Sequence, residues 1–334
     1  MSSRFSNGTA TARRISSSRL AADFSGLKSK IRFSPGFKQF KGTLSLDGLK
    51  AASPGEVVFS LEGMHCTFDQ FEGLSGLYLG NVTYGLERME LKHSDPADTP
   101  KDFFLKGLTL RAQARESGSD LSSSAVFALE RFDAGPESYE RAGFEVELRR
   151  LDAAALGEFQ KTLKGLRGQP ESPERLSEES LAAFMILLPR LLKHSPEVEL
   201  KEVGFVSTGG EVRASARLSV DGRKIRDPLT FPMLLQSAQL EATLSAAETP
   251  LVRLLTSLGS REAPAVSAEA DVSGPAGSET AEDPEADIRS TLAVLATQRY
   301  LLVDNGVYRA NARFSGGVLT LNGQAIRLDR LLGQ

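Results

Sequence analysis

The sequence predicts an α+β fold that is mainly an antiparallel β-meander with packed amphipathic helices, with an elongated, curved sheet as its most extended form. Two observations lead to this prediction. Apolar and polar residues alternate through the first half of the chain, and the apolar period then changes to that of a helix. The chain has 334 residues, of which 40% are hydrophobic and 25% are charged. This composition is typical of a globular protein of about two domains.

Residues 42–150 are predicted to form the meander. Turn residues such as Asp47-Gly48 and Gly135-Pro136 separate the segments, and polar partners indicate a sheet covered on one face. Small residues on that face, Ala112, Ala114 and Ala125, predict that something packs closely against it. The alternating apolar residues are Leu44/Leu46, Val57/Phe59/Leu61, Val82/Tyr84/Leu86, Leu108/Leu110, Ala125/Phe127/Leu129 and Phe144/Val146/Leu148.

Residues 151–259 are predicted to contain a helical hairpin, strands and a further helix. The first helix has a stripe from Leu156 to Leu166, and the second follows Ser172-Pro173 with a kink near Pro189. Strands are predicted at 198–205, 212–220 and 240–246, before a helix that ends at Gly259. The predicted packing face of the second helix comprises Leu181, Phe184, Met185, Leu188, Leu191 and Leu192.

The remaining segments are a leader, a linker and a terminal unit. Residues 1–41 contain nine Lys or Arg and one acid, and we expect a basic, partly disordered leader. Residues 260–287 contain eight acids and one Arg, which predicts an acidic low-complexity linker. Residues 288–334 are expected to form a helix and a β-hairpin turning at Gly316-Gly317.

Charge and hydropathy limit the partners and the location. The net charge of −3 argues against a nucleic-acid-binding protein, although the leader leaves contact with a membrane surface open. No signal sequence is apparent after Arg13-Arg14, and the longest apolar run, 181–192, is too short to cross a bilayer. We therefore expect neither a signal nor a transmembrane segment in this chain.

The histidines and the single cysteine do not predict a metal site. His65, His93 and His194 belong to three different predicted elements. His65 and Cys66 are neighbours in a predicted strand, so their side chains point to opposite faces. Cys66 is interpreted as a small apolar residue, and His194 as a residue at a helix C-terminus, where a cation suits the dipole.

Other candidate sites are equally weak. Ser25 and Lys28 have the spacing of a serine–lysine pair, but the accompanying motifs of such enzymes are absent. Gly73, Gly76 and Gly80 lack the spacing of a phosphate-binding loop and are interpreted as turn residues. The acid pairs Glu145/Glu147 and Glu197/Glu199 are expected on a solvated strand face. We predict no catalytic residues, no cofactor and no metal, and hence no enzyme.

The apolar side of the meander leaves two interpretations open. Helices that cover it would make an ordinary core, and this interpretation is favoured because their stripes contain enough Leu and Phe. Helices that leave it open would create a groove for acyl chains. A hydrolase is a third, disfavoured class, since it would need a base beside Ser or Asp in a polar pocket.

Several short passages resemble the YdgA-like family of bacterial cell-envelope proteins, whose domain has no assigned function. The similarity covers about residues 42–332 and corresponds to the C-terminal part of family members, which begin with a membrane helix. It implies a periplasmic, inner-membrane-associated protein and no enzymatic residues. The passages are 68–74 (FDQFEGL), 77–80 (LYLG), 105–110 (LKGLTL), 148–156 (LRRLDAAAL), 187–192 (LLPRLL), 195–198 (SPEV) and 317–324 (GVLTLNGQ).

The predicted function is therefore that of a non-catalytic envelope protein that acts by binding or scaffolding. The alternative is a lipid-binding or lipid-transfer module that uses an apolar groove on the sheet. Envelope proteins and lipids are the partners that these interpretations imply, and the sequence specifies neither.

Overall fold

The computed structural model describes residues 4–10, 13–16, 21–52, 57–93, 102–167, 173–262 and 284–327. These residues form seventeen strands and five α-helices. The strands are β1 (Arg4–Ala10), β2 (Arg13–Ser16), β3 (Ala21–Ser25), β4 (Leu27–Phe33), β5 (Gln39–Ala52), β6 (Val57–Glu72), β7 (Tyr78–His93), β8 (Phe103–Ser117), β9 (Asp120–Ala134), β10 (Glu137–Asp152), β11 (Glu197–Ser207), β12 (Gly210–Val220), β13 (Ala238–Ala247), β14 (Leu302–Asp304), β15 (Val307–Ser315), β16 (Val318–Leu321) and β17 (Gln324–Arg327). The helices are α1 (Ala153–Arg167), α2 (Pro173–Lys193), α3 (Phe231–Ser237), α4 (Glu248–Glu262) and α5 (Pro284–Thr297).

All of the strands belong to one open antiparallel sheet, and its order follows the chain. From β4 to β13 each strand pairs with the next. One border carries β1 against β4, with β2 beside β3. At the other border β13 pairs with β15, which pairs in turn with β14 and β16, while β17 pairs with β16. Hairpins join most neighbours, because short turns suffice between antiparallel strands.

The prediction of a mainly antiparallel α+β fold is confirmed in this coarse form, but the sheet is much larger than predicted. Residues 4–10, 13–16 and 21–33 of the expected leader lie in strands that extend the sheet. They carry the same pattern as the rest of it, with Phe24, Leu27, Ile31 and Phe33 on one side. Helix α4 continues past Gly259 to Glu262. Of the expected acidic linker, 263–283 lie outside the described residues.

The apolar side chains keep to one face by an irregularity that recurs in seven segments of the sheet. In β7 the apolar residues are Val82, Tyr84 and Leu86, and the next one is Met89, three positions later. In all of these segments the hydrogen-bonded pairing between strands is interrupted at the same row across the sheet. We call this row the crease. The crease consists of Gly26, Asp47, Gly63, Glu87, Gly107, Glu130 and Arg141.

Every second residue of the crease has a left-handed backbone. Gly26, Gly63, Gly107 and Arg141 have φ between 51° and 67°, whereas the residues between them are acidic. An ordinary β-bulge adds a residue to one strand of a pair, but the register here is the same on both sides of the crease, so every strand has its extra residue in the same row. The crease is thus a bulge shared between neighbouring strands, and like a single bulge it bends the strands and resets their alternation. Two consecutive residues of a strand therefore face the same side at the crease, and the apolar residues beyond it return to the face they occupied before it.

Helices cover the apolar face at two places. Near the ends of β7, β9 and β10, Leu79, Leu121 and Ala153 form a cluster with Leu156 of α1. At the opposite ends of β12, β13 and β15, helices α4 and α5 contribute Leu251, Val252 and Leu292 to a second cluster. Helices α1 and α2 pack on each other through Ala155, Leu187 and Leu191. The core is thus divided into separate clusters at the two ends of the strands.

Helix α2 differs from its predicted packing. Leu191 and Leu192 are buried as expected, together with Leu187. Leu181 and Met185, which were expected on the packing face, are exposed, as is Ile186. The middle of α2 therefore presents an apolar surface, because no part of the described chain covers it.

Candidate functional site

Between the two helical supports lies an apolar band that none of the described helices covers. Directly paired residues share a face, and Leu44, Cys66, Tyr84, Leu110 and Phe127 are opposite one another on β5 to β9. The row continues to Phe144 on β10 and Val203 on β11. We call these seven residues and the apolar residues beside them on the same face the open band. Ten strands, β4 to β13, span roughly 40 Å at the usual strand spacing.

Exposure shows that this band is open. Leu110 is 40% exposed and Phe144 38%, although both are large apolar residues in the middle of the sheet. Val198 and Leu218, on β11 and β12, are exposed on the same face. The favoured expectation that the helices cover the apolar face is therefore wrong for this region. Large contiguous apolar surfaces are rare on monomeric proteins and usually mark a binding surface.

A cleft of about 260 Å³ lies within the open band. Its floor is formed by small residues, Ala112 and Ala114 of β8 and Ala125 of β9. Its border combines larger apolar or aromatic residues with polar ones: Tyr78, Val82, Val146, Leu148, Gln70, Gln113, Ser123 and Ser124. The sequence predicted that something packs closely on these alanines. Ala114 does pack against the cluster of Leu79, Leu121 and Ala153, whereas Ala112 and Ala125 line the cleft.

Curvature deepens the apolar face next to the crease. Leu86 lies in the middle of β7, away from the two helical clusters, and is only 3% exposed. Its paired neighbour Leu108 and the residues beyond the crease, Leu61 and Met89, belong to the same face. Burial without a covering helix follows if the sheet bends towards this face, because side chains on the inside of a bend crowd together.

A second cavity, of about 310 Å³, confirms that both sides of the crease contribute to one face. It is bordered by Leu129 and Ala142 on one side of the crease and by Phe132 and Tyr139 on the other. Leu254 of α4 closes it above the sheet. Arg253 of α4 is anchored by Glu137, with Nη1 2.7 Å from the carboxylate. Helix α4 is therefore the wall of the open band at this end.

The opposite, polar face carries a charge network around Glu197. Glu197 is only 3% exposed, and Arg149, Arg150 and Arg217 lie 2.5, 3.1 and 2.9 Å from its carboxylate oxygens. Hydrogen bonds from these arginines, that from Arg217 foremost, lower the pKa of Glu197 against the effect of burial. The expectation that Glu197 lies on a solvated face is therefore wrong.

The neighbouring carboxylates complete the network. Arg149 donates to Glu147 and lowers the pKa of that carboxyl to about 2, with Lys201 as the next contributor. Lys201 also contacts Glu145 at 2.5 Å, and Arg149 contacts Glu199 at 2.9 Å. All four acids are thus paired with cations, and the lowered pKa of Glu147 and of Glu197 makes these two carboxylates poor general bases at neutral pH.

The histidines and the cysteine do not converge on one site, because the three histidines lie on different parts of the fold and the neighbours His65 and Cys66 point to opposite faces of β6. His65 rests against Gly85, where a Cβ would overlap its ring, whereas Cys66 is on the apolar face beside Leu44 and Tyr84. His194 follows α2, with Nδ1 3.2 Å from Asp120 and Nε2 3.5 Å from Asp152. Within the described residues, no group of three or more His, Cys, Asp or Glu side chains is arranged to hold a metal ion.

The other candidate residues take structural positions. Ser25 ends β3, and Lys28 forms an ion pair with Asp47 of the crease at 3.7 Å. Gly73 and Gly76 form the turn between β6 and β7, in which the Gly76 N–H donates to the Gly73 carbonyl at 3.1 Å. Gly80 lies in β7 with its backbone close to the Asp69 carbonyl. No serine–lysine or phosphate-binding arrangement exists among these residues.

The cleft and the crease are the features that the sequence analysis missed. A signal for the crease was present, since Leu46/Leu49, Leu61/Met64, Leu86/Met89 and Leu129/Phe132 are all spaced three residues apart. Recurrence of this spacing indicates a bulge that is shared between strands. In the part of the chain that the structure describes, no helix is long and apolar enough to span a membrane.

Comparison with known families gives one match. The family model described as "Bacterial protein of unknown function (DUF945)" matches residues 3–329. The match corrects the sequence resemblance in one respect, because it begins at residue 3 and so includes the strands of the expected leader. No curated protein matches the sequence.

Proposed function

We propose that this chain, which belongs to the bacterial DUF945 family of proteins of unknown function, is a non-catalytic binding protein whose open band takes up lipid acyl chains. The observation that carries the proposal is the exposure of Leu110 and Phe144 in the middle of a sheet whose apolar side chains lie mainly on one face. Water contact with such a surface is unfavourable, and an apolar ligand would relieve it.

The shape of the band favours an elongated ligand. It crosses the strands as a strip with helical walls, and the cleft over Ala112 and Ala125 offers space where the side chains are small. Each methylene group of an acyl chain buried there contributes about 0.8 kcal/mol. A strip roughly 40 Å long exceeds the length of one acyl chain, so the surface accommodates successive positions of a lipid as well as a single one.

We include in the proposal the periplasmic, inner-membrane-associated location that the sequence resemblance implies. Lipids are abundant at that boundary, and a protein that shields acyl chains from water has a use there. Scaffolding is the other form of the binding function, and the apolar surface of α2 around Ile186 is the observation that favours it. Cell fractionation with an antibody against the chain tests the location.

Binding is tested by titration with a fluorescent fatty-acid analogue and by native mass spectrometry of the purified protein. The variant Ala112→Trp fills the cleft, and we expect its affinity to fall about tenfold or more, because the indole occupies the space of the ligand. The control is Ala128→Trp, whose exposed side chain belongs to the polar face of β9. It should bind the analogue like the unmodified chain.

The single cysteine provides a second measurement. Cys66 lies in the open band, so a bound acyl chain should slow its reaction with a maleimide. Acyl-chain binding in the cleft is contradicted if the unmodified chain takes up no analogue. It is also contradicted if Ala112→Trp and Ala128→Trp lose affinity equally while their circular dichroism is unchanged.

A further inference from the structure

Two turns at one end of the sheet display large apolar side chains to solvent. Phe37 is 60% exposed in the turn between β4 and β5, and Leu74 is 96% exposed in the turn between β6 and β7. The described turns at the opposite end, 134–137 and 207–210, have the sequences AGPE and STGG, without a large apolar residue. Large apolar side chains are therefore exposed on hairpin turns at the end where β4 meets β5, whereas those exposed at the opposite end, such as Leu258 and Val303, lie on a helix and a strand.

The structure fixes Phe37 in its exposed position. The Ser34 N–H donates to the Gln39 carbonyl across the turn at 2.9 Å, and the Ser34 hydroxyl accepts from the Gln39 N–H. Phe37 has φ 56°, a left-handed conformation that is uncommon for a bulky residue and must be held by its surroundings. The Tyr78 hydroxyl donates to the Phe37 carbonyl at 3.2 Å.

The second turn is held in the same way and is joined to the first. The Ser75 N–H and hydroxyl both donate to the Glu116 carboxylate, at 3.2 Å each, so the turn that carries Leu74 is tied to β8. The Glu72 N–H donates to the Lys38 carbonyl at 2.7 Å and connects the two turns. Phe37 and Leu74 therefore lie at one rigid tip, which we call the apolar tip together with Lys38 and Tyr78.

Cations surround the apolar tip. Lys38 follows Phe37 directly, and the Lys161 side chain of α1 approaches the β6–β7 turn, with Cε 3.9 Å from the place of a Cβ on Gly76. Arg32 and Lys30 project from the polar face of β4, within roughly 13 Å of the turn along the strand. Asp69 is paired with Lys41 at 2.6 Å, and Glu116 is engaged by Ser75. Two acids near the tip are exposed: Glu72, and Glu158 of α1, which is paired with Arg190.

We propose that the apolar tip docks on an anionic lipid bilayer, with Phe37 and Leu74 inserted at the interface and the surrounding lysines against the headgroups. Apolar and aromatic side chains rimmed by Lys are what the water–bilayer boundary accommodates, and anionic headgroups attract such cations. Tyr78 belongs both to the apolar tip and to the border of the cleft. Docking therefore brings the open band to the bilayer surface.

The test uses the absence of tryptophan from the chain. Phe37→Trp and Leu74→Trp each introduce a sole indole at the tip, and Val303→Trp introduces one at an exposed position on β14 as the control. The vesicles consist of phosphatidylcholine with about 30% phosphatidylglycerol, which makes their surface anionic. With these vesicles we expect the fluorescence emission of the two tip variants to shift to the blue. The Val303→Trp emission should not move.

Binding is measured in parallel by vesicle co-sedimentation. The double variant Phe37→Ser/Leu74→Ser should bind the anionic vesicles about tenfold or more weakly. Lys38→Glu/Lys161→Glu should lose binding to them as well, and higher salt should weaken binding by the unmodified chain. Equal emission shifts at Val303 and at the tip, or binding that the double variant retains, overturns the proposal.

The experiment also separates this proposal from other occupants and from acyl-chain uptake. Loss of a concentration-dependent dimer in the double variant, without vesicle binding by the unmodified chain, would assign the tip to a second copy and overturn membrane docking. Uptake of the soluble fatty-acid analogue should be unchanged in Phe37→Ser/Leu74→Ser. Vesicle binding without uptake contradicts the proposed function alone, and uptake without vesicle binding contradicts docking alone.

Discussion

Among the individual side chains, Glu197 is the one whose substitution we expect to destabilise the fold most clearly. It is buried, and three arginines from β10 and β12 converge on its carboxylate. Arg150 also donates to the Ser195 carbonyl at 2.7 Å, which joins this network to the segment after α2. The network therefore connects the sheet to the helical hairpin at the point where β11 begins.

We expect Glu197→Gln to lower the free energy of unfolding by about 2 kcal/mol. Removal of one partner of a buried ion pair costs roughly 3–5 kcal/mol, and the cost is smaller here because the arginines remain partly hydrated. Urea unfolding measures the change. The control, Glu211→Gln, removes an exposed partner of Arg213 at 2.8 Å and should cost less than about 0.5 kcal/mol. Equal effects of the two changes would contradict a special role of Glu197.

Among the elements, the central strands depend on the crease. Strict alternation keeps apolar residues on one face only in a regular strand. These strands of fifteen or sixteen residues are irregular at the crease, so their alternation has to change there. Gly63 has a positive φ, a conformation that residues with a side chain rarely adopt. A Cβ at this position would also overlap the Glu87 side chain. Glycine at this position is thus favoured by conformation, and a larger residue would also displace the exposed Glu87 side chain.

This preference predicts a difference between two glycines. Gly63→Ala should destabilise the protein by about 1–2 kcal/mol, because it combines backbone strain of about 1 kcal/mol with displacement of the exposed Glu87 side chain. Gly118→Ala has a similar φ, 62°, with nothing within 4 Å of the new Cβ, so it measures the strain alone. Chemical unfolding of both variants isolates the steric part, and equal losses would show that Gly63 is not crowded.

The crease also explains why strand lengths were underestimated from the sequence. Alternation at Val82, Tyr84 and Leu86 was recognised, but Met89 breaks the period, so the prediction stopped in the middle of β7. Period-two analysis assumes a regular strand, and a bulge violates that assumption. Element types within 42–150 were therefore predictable, whereas the extent of the sheet was not.

The candidate site was less predictable, because it depends on which part of the apolar face the helices leave uncovered. Ala112 and Ala125 were recognised as small residues on the apolar face, and a packed neighbour was the natural interpretation. Whether a helix reaches them depends on the paths of α1 and α4, which are set by tertiary contacts such as that of Arg253 with Glu137. Amphipathic spacing gives the face of a helix and carries no information about its position over a sheet.

Viewed as a whole, the molecule separates an apolar side from a charged one without enclosing the apolar side. A ligand that binds only the folded chain stabilises it by mass action. At a free fatty-acid concentration of about 100 times Kd, we expect unfolding to become about 2.7 kcal/mol less favourable. Differential scanning fluorimetry should show a rise in the unfolding temperature that Ala112→Trp lacks. A similar rise in that variant would place the ligand elsewhere on the chain.

The order of pairing has a consequence for biosynthesis. Since each strand from β5 to β13 bonds to the one made just before it, the ribbon can assemble in step with translation. Nothing synthesised later is needed to complete an earlier hairpin. The helices that shield part of the oily side leave the ribosome only after β10, so the nascent chain passes through a stage suited to capture by holding chaperones.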